Sequence, residues 1–300
     1  MAYHIPVMLE ECINGLNIQP EGIYVDITFG GGGHSQAILN ALGNQGRLIA
    51  FDQDIRAQEN IPNDTRLTFI HSNYRYIQKY LRLHDVIPVD GILGDFGVSS
   101  YQIDTPERGF SIRYEGKLDM RMNTESVLTA WDVVNTYPVE KLKHVFYQYG
   151  ELKNAGRIAQ IIKKHIESDG SINSTQDLVQ LLEPIVAKNK SNKFLAQVFQ
   201  ALRIEVNDEL KSIEEFLKQT PFVLKPKGRL VIMSYHSLED RLVKNFMKYG
   251  ILKGEPEKDI YGRFECPWKL ITRKPIEATE KETFDNPRAR SAKLRIAEKI

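Results

Sequence analysis

The sequence predicts an α/β protein: a mostly parallel sheet covered by helices on both faces and interrupted by an all-helical domain. Three observations predict it. The first hundred residues alternate short apolar runs with helix-like segments, the pattern of successive βαβ units. A run of glycines, Gly30 to Gly33, follows directly on an apolar run that contains an acid, Asp26. From about Ala130 to Ala201 apolar residues recur every three or four positions, helix after helix, with no strand between.

Taken in order, Val7–Leu16 is a short amphipathic helix. Tyr24–Asp26, Leu48–Asp52 and Leu67–His71 are strands, with helices expected over Ser35–Leu42 and Ile55–Asn60 between them. Val89–Asp95 is a fourth apolar strand, again ending in an acid. Asp104–Asn123, rich in charge, glycine and arginine, reads as a long ordered loop. Helices follow over Trp131–Asn135, Val139–Tyr149, Ala155–Glu167, Thr175–Ala187 and Lys193–Arg203, punctuated by Gly150, Gly170 and the stretch 189–192. The α/β pattern resumes with a helix over Asp208–Leu217 and a strand over Arg229–Met233. Trp268–Pro275 and Ala292–Ala297 suit a closing hairpin at the sheet edge. The expected domains are therefore a discontinuous α/β domain, residues 1–103 and 204–300, and an inserted helical domain, 104–203.

The formal net charge is +1, so a bulk attraction for nucleic acid is absent and any such binding must come from local patches. No run approaches the roughly 18 apolar residues of a membrane span, and the first residues lack the basic head and apolar body of a signal peptide. The two cysteines, Cys12 and Cys266, have no paired spacing. That fits a reducing cytoplasm and argues against a disulfide framework or a zinc site.

Glycines let a backbone turn sharply and approach a ligand closely. A strand, a glycine loop and a helix in succession form the usual seat of a nucleotide-like cofactor. The next strand ends in Asp52, about 20 residues on, where an acid accepts hydrogen bonds from ribose hydroxyls. The dinucleotide fingerprint needs a third glycine that neither register supplies: Ser35 or Gln36 stands there. S-adenosylmethionine has no pyrophosphate; its ammonium and sulfonium suit a loop flanked by the acids Asp26 and Asp52.

In an open α/β sheet the crevice lies beyond the carboxyl ends of the strands. Asp95, at the end of the fourth strand, is expected there, able to contact the cofactor or a substrate amine, with a helix cap as the bland alternative. His236, after the fifth strand, could touch substrate or serve structurally. In the long loop Arg108, Arg113 and Arg121 could meet phosphates, with Phe110 or Tyr114 stacking on bases. A packing role for this loop is the alternative. The basic tail Asn286–Arg295 suits phosphate recognition or a charged edge strand. Methylation of carbon 5 of a pyrimidine needs a thiolate, and neither cysteine lies in a setting that would make one. An exocyclic amine needs only its lone pair freed and aimed.

The chain resembles the RsmH (MraW) family of bacterial small-subunit rRNA (cytosine-N4)-methyltransferases. The matching blocks are His4-Ile5-Pro6-Val7, Asp26 to Ser35, Gly91 to Gln102, Arg108 to Ser111, Leu118 to Met122 and Tyr149-Gly150-Glu151. They continue through Gln200 to Ile204, Val206-Asn207, Glu209-Leu210, Ser234 to Arg241 and Asn286 to Arg295, in family order from end to end. The resemblance implies a Rossmann-like class I methyltransferase sheet with a helical insertion, S-adenosylmethionine as donor, and N4 of a cytidine in the decoding region of 16S rRNA as target. It carries cofactor contacts onto Gly32, Gly33, His34, Asp52, Tyr74, Asp95 and Gln102. Tyr74 stands where many members have phenylalanine, Phe96 for a usual leucine and Tyr235 for a usual phenylalanine. Many enzymes that methylate exocyclic amines carry two prolines and an aromatic after the acid; this chain has Asp95-Phe96-Gly97-Val98. The clamp on the base must be built otherwise, and Asp95, Asp119 and His236 are the catalytic candidates. The implied partner is 16S rRNA in the small ribosomal subunit of the cytoplasm. The oligomeric state stays open, a homodimer included. The rival readings are a noncatalytic small-subunit assembly factor that holds the cofactor structurally and a small-molecule amine methyltransferase.

Overall fold

The computed structural model describes residues 6–300, so His4 and Ile5 of the first matching block lie outside the described residues. The chain divides into two compact units: the described residues through Gly97 with Leu210–Ile300, and Val98–Glu209. The junctions fall there rather than at 103/104 and 203/204 because the short helix α4 (Ser100–Asp104) and the whole of the long helix α9 (Ser191–Asn207) belong to the helical unit.

In the sheet unit the chain runs α1 (Leu9–Leu16), β1 (Ile23–Asp26), α2 (Gly33–Ala41), β2 (Arg47–Asp52), β3 (Leu67–His71), α3 (Ile77–Leu83) and β4 (Val89–Asp95). It returns with α10 (Glu209–Val223), β5 (Leu224–Ser234), α11 (Ser237–Tyr249), β6 (Trp268–Leu270), β7 (Ile276–Glu277), α12 (Glu280–Asp285) and β8 (Lys293–Lys299). The strand order is β3-β2-β1-β4-β5-β8-β6, with β7 also on β8. β1 to β5 pair in parallel, and β8 joins β5 antiparallel. The order reverses between β1 and β4, and that reversal opens the crevice at the carboxyl ends.

Alternation along the strands feeds two cores, because successive side chains point to opposite faces. Val25, Ile92, Leu230 and Ile232 pack with Ile77 and Leu81 of α3, Phe216 of α10 and Phe246 of α11. Tyr24, Leu93, Val231 and Met233 pack with Cys12 and Leu16 of α1 and Ile38 and Leu39 of α2. Both faces are covered, as near-continuous apolar strands require.

Two expectations change. Ile55–Asn60 closes as a 3-10 helix rather than an α-helix, its start held by the Asp54 side chain on the Arg56 amide and only Ala57 buried to favour a longer apolar face. Trp268–Leu270 and β8 do pair, but β8 lies inside the sheet between β5 and β6, so the basic tail forms no charged edge strand. The helix α3 carries no strong sequence signal, with only Ile77 and Leu81 buried.

The helical unit comprises α4, α5 (Ala130–Thr136), α6 (Val139–Gln148), α7 (Ala155–Asp169), α8 (Thr175–Leu182) and α9. It has its own core, including Val133, Phe146, Ile158, Leu178, Val198 and Leu202. Gln197 and Gln200 of α9 donate to the carbonyls of Gly150 and Tyr149, which pins the Tyr149-Gly150-Glu151 turn. In the loop before α5, Arg108 is buried and donates to the carbonyls of Arg121 and Met122. Arg121 is paired with Asp119 and donates to the carbonyls of Thr124 and Ser126. These two arginines hold the loop together; Arg113 and Tyr114 are exposed.

Candidate active site at the carboxyl edge of the sheet

The glycine loop bridges the end of β1 and the start of α2. Gly30 and Gly32 adopt left-handed φ of 51° and 78°, which favours glycine at both positions. A Cβ on Gly32 would sit 3.1 Å from the Phe29 ring, whereas one on Gly31 would meet no atom within 4 Å. Gly31 is thus the part of the loop open to a ligand. Gly33 serves another need: a Cβ there would fall 2.3 Å from Pro6. The adjacent His34 is buried and its Nε2 donates to the Val7 carbonyl at 3.1 Å. Two of the expected cofactor residues therefore seat the Pro6-Val7 segment on α2.

Two acids brace the loop. Asp26 is buried, accepting from Ser35 Oγ at 2.7 Å and from the Thr28 amide at 3.0 Å. Burial raises its pKa, against the pull of His34 and Ser35. Asp52 accepts from the Gly30 amide at 2.7 Å and the Asp54 amide at 2.8 Å. Burial lifts its pKa to about 6, although those two amides favour the charged form. A carboxylate has about four lone-pair sites, so two remain on Asp52 for hydroxyl donors. Tyr74, in the turn after β3, packs against Phe96 at 5.7 Å and Phe216 at 5.6 Å between ring centroids.

Asp95 closes β4. Its amide donates to Thr28 Oγ1 at 2.7 Å, tying the ends of β1 and β4 together. Its Oδ1 accepts from the Tyr235 hydroxyl at 2.8 Å. Burial raises Asp95 to about 6; His34 and the Tyr235 hydrogen bond oppose this. Burial, with the Asp95 charge behind it, pushes the Tyr235 phenol up, so it stays a donor. Residue types alone do not reveal this pair, whose partners lie 140 positions apart.

His236 is the N-cap of α11. Its Nδ1 accepts from the Glu239 amide at 3.4 Å, and its Nε2 lies 3.1 Å from Glu239 Oε1. The Glu239 carboxylate accepts in turn from the His236 amide at 3.3 Å and from the Tyr235 amide at 2.9 Å. This is a capping box, and the histidine has a structural use. In the helical unit Gln102 caps α4 reciprocally with Ser99, and Asp119 is held by Arg121 at 2.7 Å. Burial would raise Asp119, but the Arg121 guanidinium holds it below the usual carboxylate range. In the sheet unit the structure thus gathers the glycine loop, Asp52, Tyr74 and Asp95 at the strand ends. Gln102 and Asp119 have local partners of their own.

Both thiols are raised by burial, Cys12 well above its ordinary value with the Asp95 charge adding to the effect. Neither is poised as a thiolate.

Known proteins extend these observations over the full length. A protein of Parabacteroides distasonis named "Ribosomal RNA small subunit methyltransferase H" is 52% identical over 299 residues, covering 99% of this chain and 98% of that one. One of the same name from Flavobacterium psychrophilum is 53% identical over 292 residues, 97% of this chain and 100% of that one. A Streptococcus mutans methyltransferase solved with SAH is a more distant likeness, with 13% identity and a TM-score of 0.43 over 99% of this chain and 100% of that one. The sequence relation therefore decides the family: the MraW methylase model matches residues 1–300, and the chain belongs to the MraW methylase family.

Proposed function

We propose that the chain transfers the methyl group of S-adenosylmethionine to the exocyclic N4 amine of a cytidine in the decoding region of 16S rRNA, within the small ribosomal subunit. The observation that carries the reading is the full-length relation, above 50% identity, to proteins named as ribosomal small-subunit methyltransferases. The cofactor fits the residues present. The backbone at Gly31 leaves room for close approach, Asp52 keeps lone pairs for ribose hydroxyls, and Tyr74 offers an aromatic surface. When bound, S-adenosylmethionine supplies an electrophilic methyl on a sulfonium.

The chain's own task is then positioning and proton handling. The target base must leave its stack to reach the strand ends. Asp95 accepts a hydrogen bond from N4–H, which frees the lone pair and aims it. As the amine is methylated, Asp95 would take the proton that N4 loses. With a pKa of about 6 it is ionised at neutral pH and still basic enough to act. Tyr235 fixes the carboxylate's orientation. The buried, protonated thiols favour an amine target over ring carbon 5. The helical unit is proposed to recognise RNA, with Arg113 and Tyr114 exposed for it. Among the described residues no helix is long and apolar enough to cross a membrane.

The test uses small subunits from cells lacking the protein, incubated with purified protein and labelled S-adenosylmethionine and digested to nucleosides for mass spectrometry. Label in N4-methylcytidine is expected. Label elsewhere refutes the N4 assignment; no transfer with cofactor binding intact favours an assembly factor or a small-molecule enzyme.

A further inference from the structure

A cavity of about 410 Å³ lies in the sheet unit between α11 and the segment that follows β6. Lys244, Met247 and Lys248 line one side, Leu270, Thr272 and Arg273 the other, and Arg295 of β8 is the seventh lining residue. Nothing in the chemistry above uses it.

Its charge is one-sided. Arg295 is buried, and its Nε and one terminal nitrogen donate to Asp240 at 2.6 and 3.1 Å. The other terminal nitrogen has no partner among the described residues. Lys244 and Arg273 are exposed and have no ion-pair partner among the described residues. Lys248 adds a fourth cation, engaged among the described residues only with the Tyr249 ring at 4.7 Å. No acid is among the lining residues, and Asp240, which holds Arg295, is already shared with Lys293. No aromatic ring lines the cavity, while Met247 and Leu270 supply apolar wall. Cations over an apolar wall with no stacking platform suit a sugar–phosphate backbone rather than a base. The helix α11 begins beside His236, and a rise of about 1.5 Å per residue puts Lys244 only about 10 Å along it.

We propose that this groove binds the phosphodiester backbone of the substrate RNA beside the target nucleotide, Arg295 receiving a phosphate and Lys244 and Arg273 flanking it. The inference rests on the rRNA reading above. It gives a near-neutral protein a local hold on RNA and draws no sequence information from it.

The experiment compares wild type, Lys244→Glu/Arg273→Glu and its milder form Lys244→Gln/Arg273→Gln on small subunits. Arg47→Glu, an exposed change at the amino end of β2, is the control. KM for subunits is expected to rise about tenfold in the charge-reversed protein and less in the neutral one, with kcat and cofactor affinity unchanged. The salt dependence of log KM should flatten by about 1.4 in slope, two contacts at about 0.7 each. Wild-type KM and slope in both double variants, with transfer intact, would overturn the groove assignment and leave the cavity to a partner other than RNA. So would a fall in kcat alone, or an equal effect of Arg47→Glu. Failure of wild type to methylate RNA at all would instead refute the functional reading.

Discussion

Tyr235→Phe isolates the proposed proton transfer to Asp95. The ring remains, so packing is preserved, and only the hydroxyl 2.8 Å from Asp95 is lost. A hydrogen bond to a charged group contributes about 1.5–3 kcal/mol. Because one pKa unit is about 1.4 kcal/mol, the lower end of that range raises Asp95 by about one unit, from about 6 to about 7. At pH 6.5 the ionised fraction then drops from about three-quarters to about one-quarter, whereas at pH 8 it stays above about nine-tenths. Single-turnover methyl transfer, followed from about pH 5.5 to 8.5, should lose roughly threefold at pH 6.5 and almost nothing at pH 8. Titration of the Asp95 carboxyl carbon by NMR should show the same displacement. Superimposable pH profiles would remove Asp95 as the proton acceptor, and an equal loss at every pH would mean that Tyr235 merely orients the site.

Gly32→Ala must take up a left-handed backbone and press on Phe29, so it should destabilise by about 1–2 kcal/mol and weaken cofactor binding at least about tenfold. Gly31→Ala, which meets nothing, should leave stability unchanged in the same denaturation and calorimetric titrations. Cys12→Ala and Cys266→Ala should each transfer methyl groups within about threefold of wild type, since the protonated thiols take no part; loss of turnover in a folded variant would point to covalent catalysis. Stability should fall as pH rises from about 4 to about 7. Asp52 and Asp95 have folded pKa values of about 6, above the ordinary 3.8, so the folded state binds their protons more tightly across that window. Each shift is worth at most about 3 kcal/mol, less for the solvent both carboxyls retain. Urea midpoints that rise across the window would contradict burial as the cause, and Asp95→Asn should flatten part of the fall.

What the sequence makes legible is what local pattern controls. β3 and β4 are apolar runs bounded by turn residues, and their limits follow from that pattern alone. The glycine loop, Asp52 and Asp95 are legible because a doubly wound sheet puts ligands at strand ends. Interior placement of β8 is not, because it depends on pairing with β5 about sixty residues away. Residue type leaves Arg108 and Arg121 open between phosphate contact and loop packing, and each finds backbone carbonyls or a carboxylate that only the folded loop presents. The Tyr235–Asp95 pair and the Arg295 cavity are likewise products of tertiary structure, and spacing cannot announce them.

The loop's composition and its surroundings answer one another. Ordering a residue's backbone costs about 1–2 kcal/mol, and more for glycine, so consecutive glycines make a loop that is free to fit and expensive to hold. Here the surroundings hold it before any ligand arrives. Asp52 takes the Gly30 amide, Asn60 donates to the Gly30 carbonyl at 3.1 Å, the Gly32 amide donates to Phe29 at 2.7 Å, and Asp26 grips Ser35 just beyond. In the proposed reading Asp52 acts twice, bracing the loop with lone pairs it has committed and offering a ribose those it has not. Its removal would raise the cost of ordering Gly30 as well as delete a contact. A loss of affinity at Asp52 larger than one hydrogen bond is therefore the signature of a loop organised in advance.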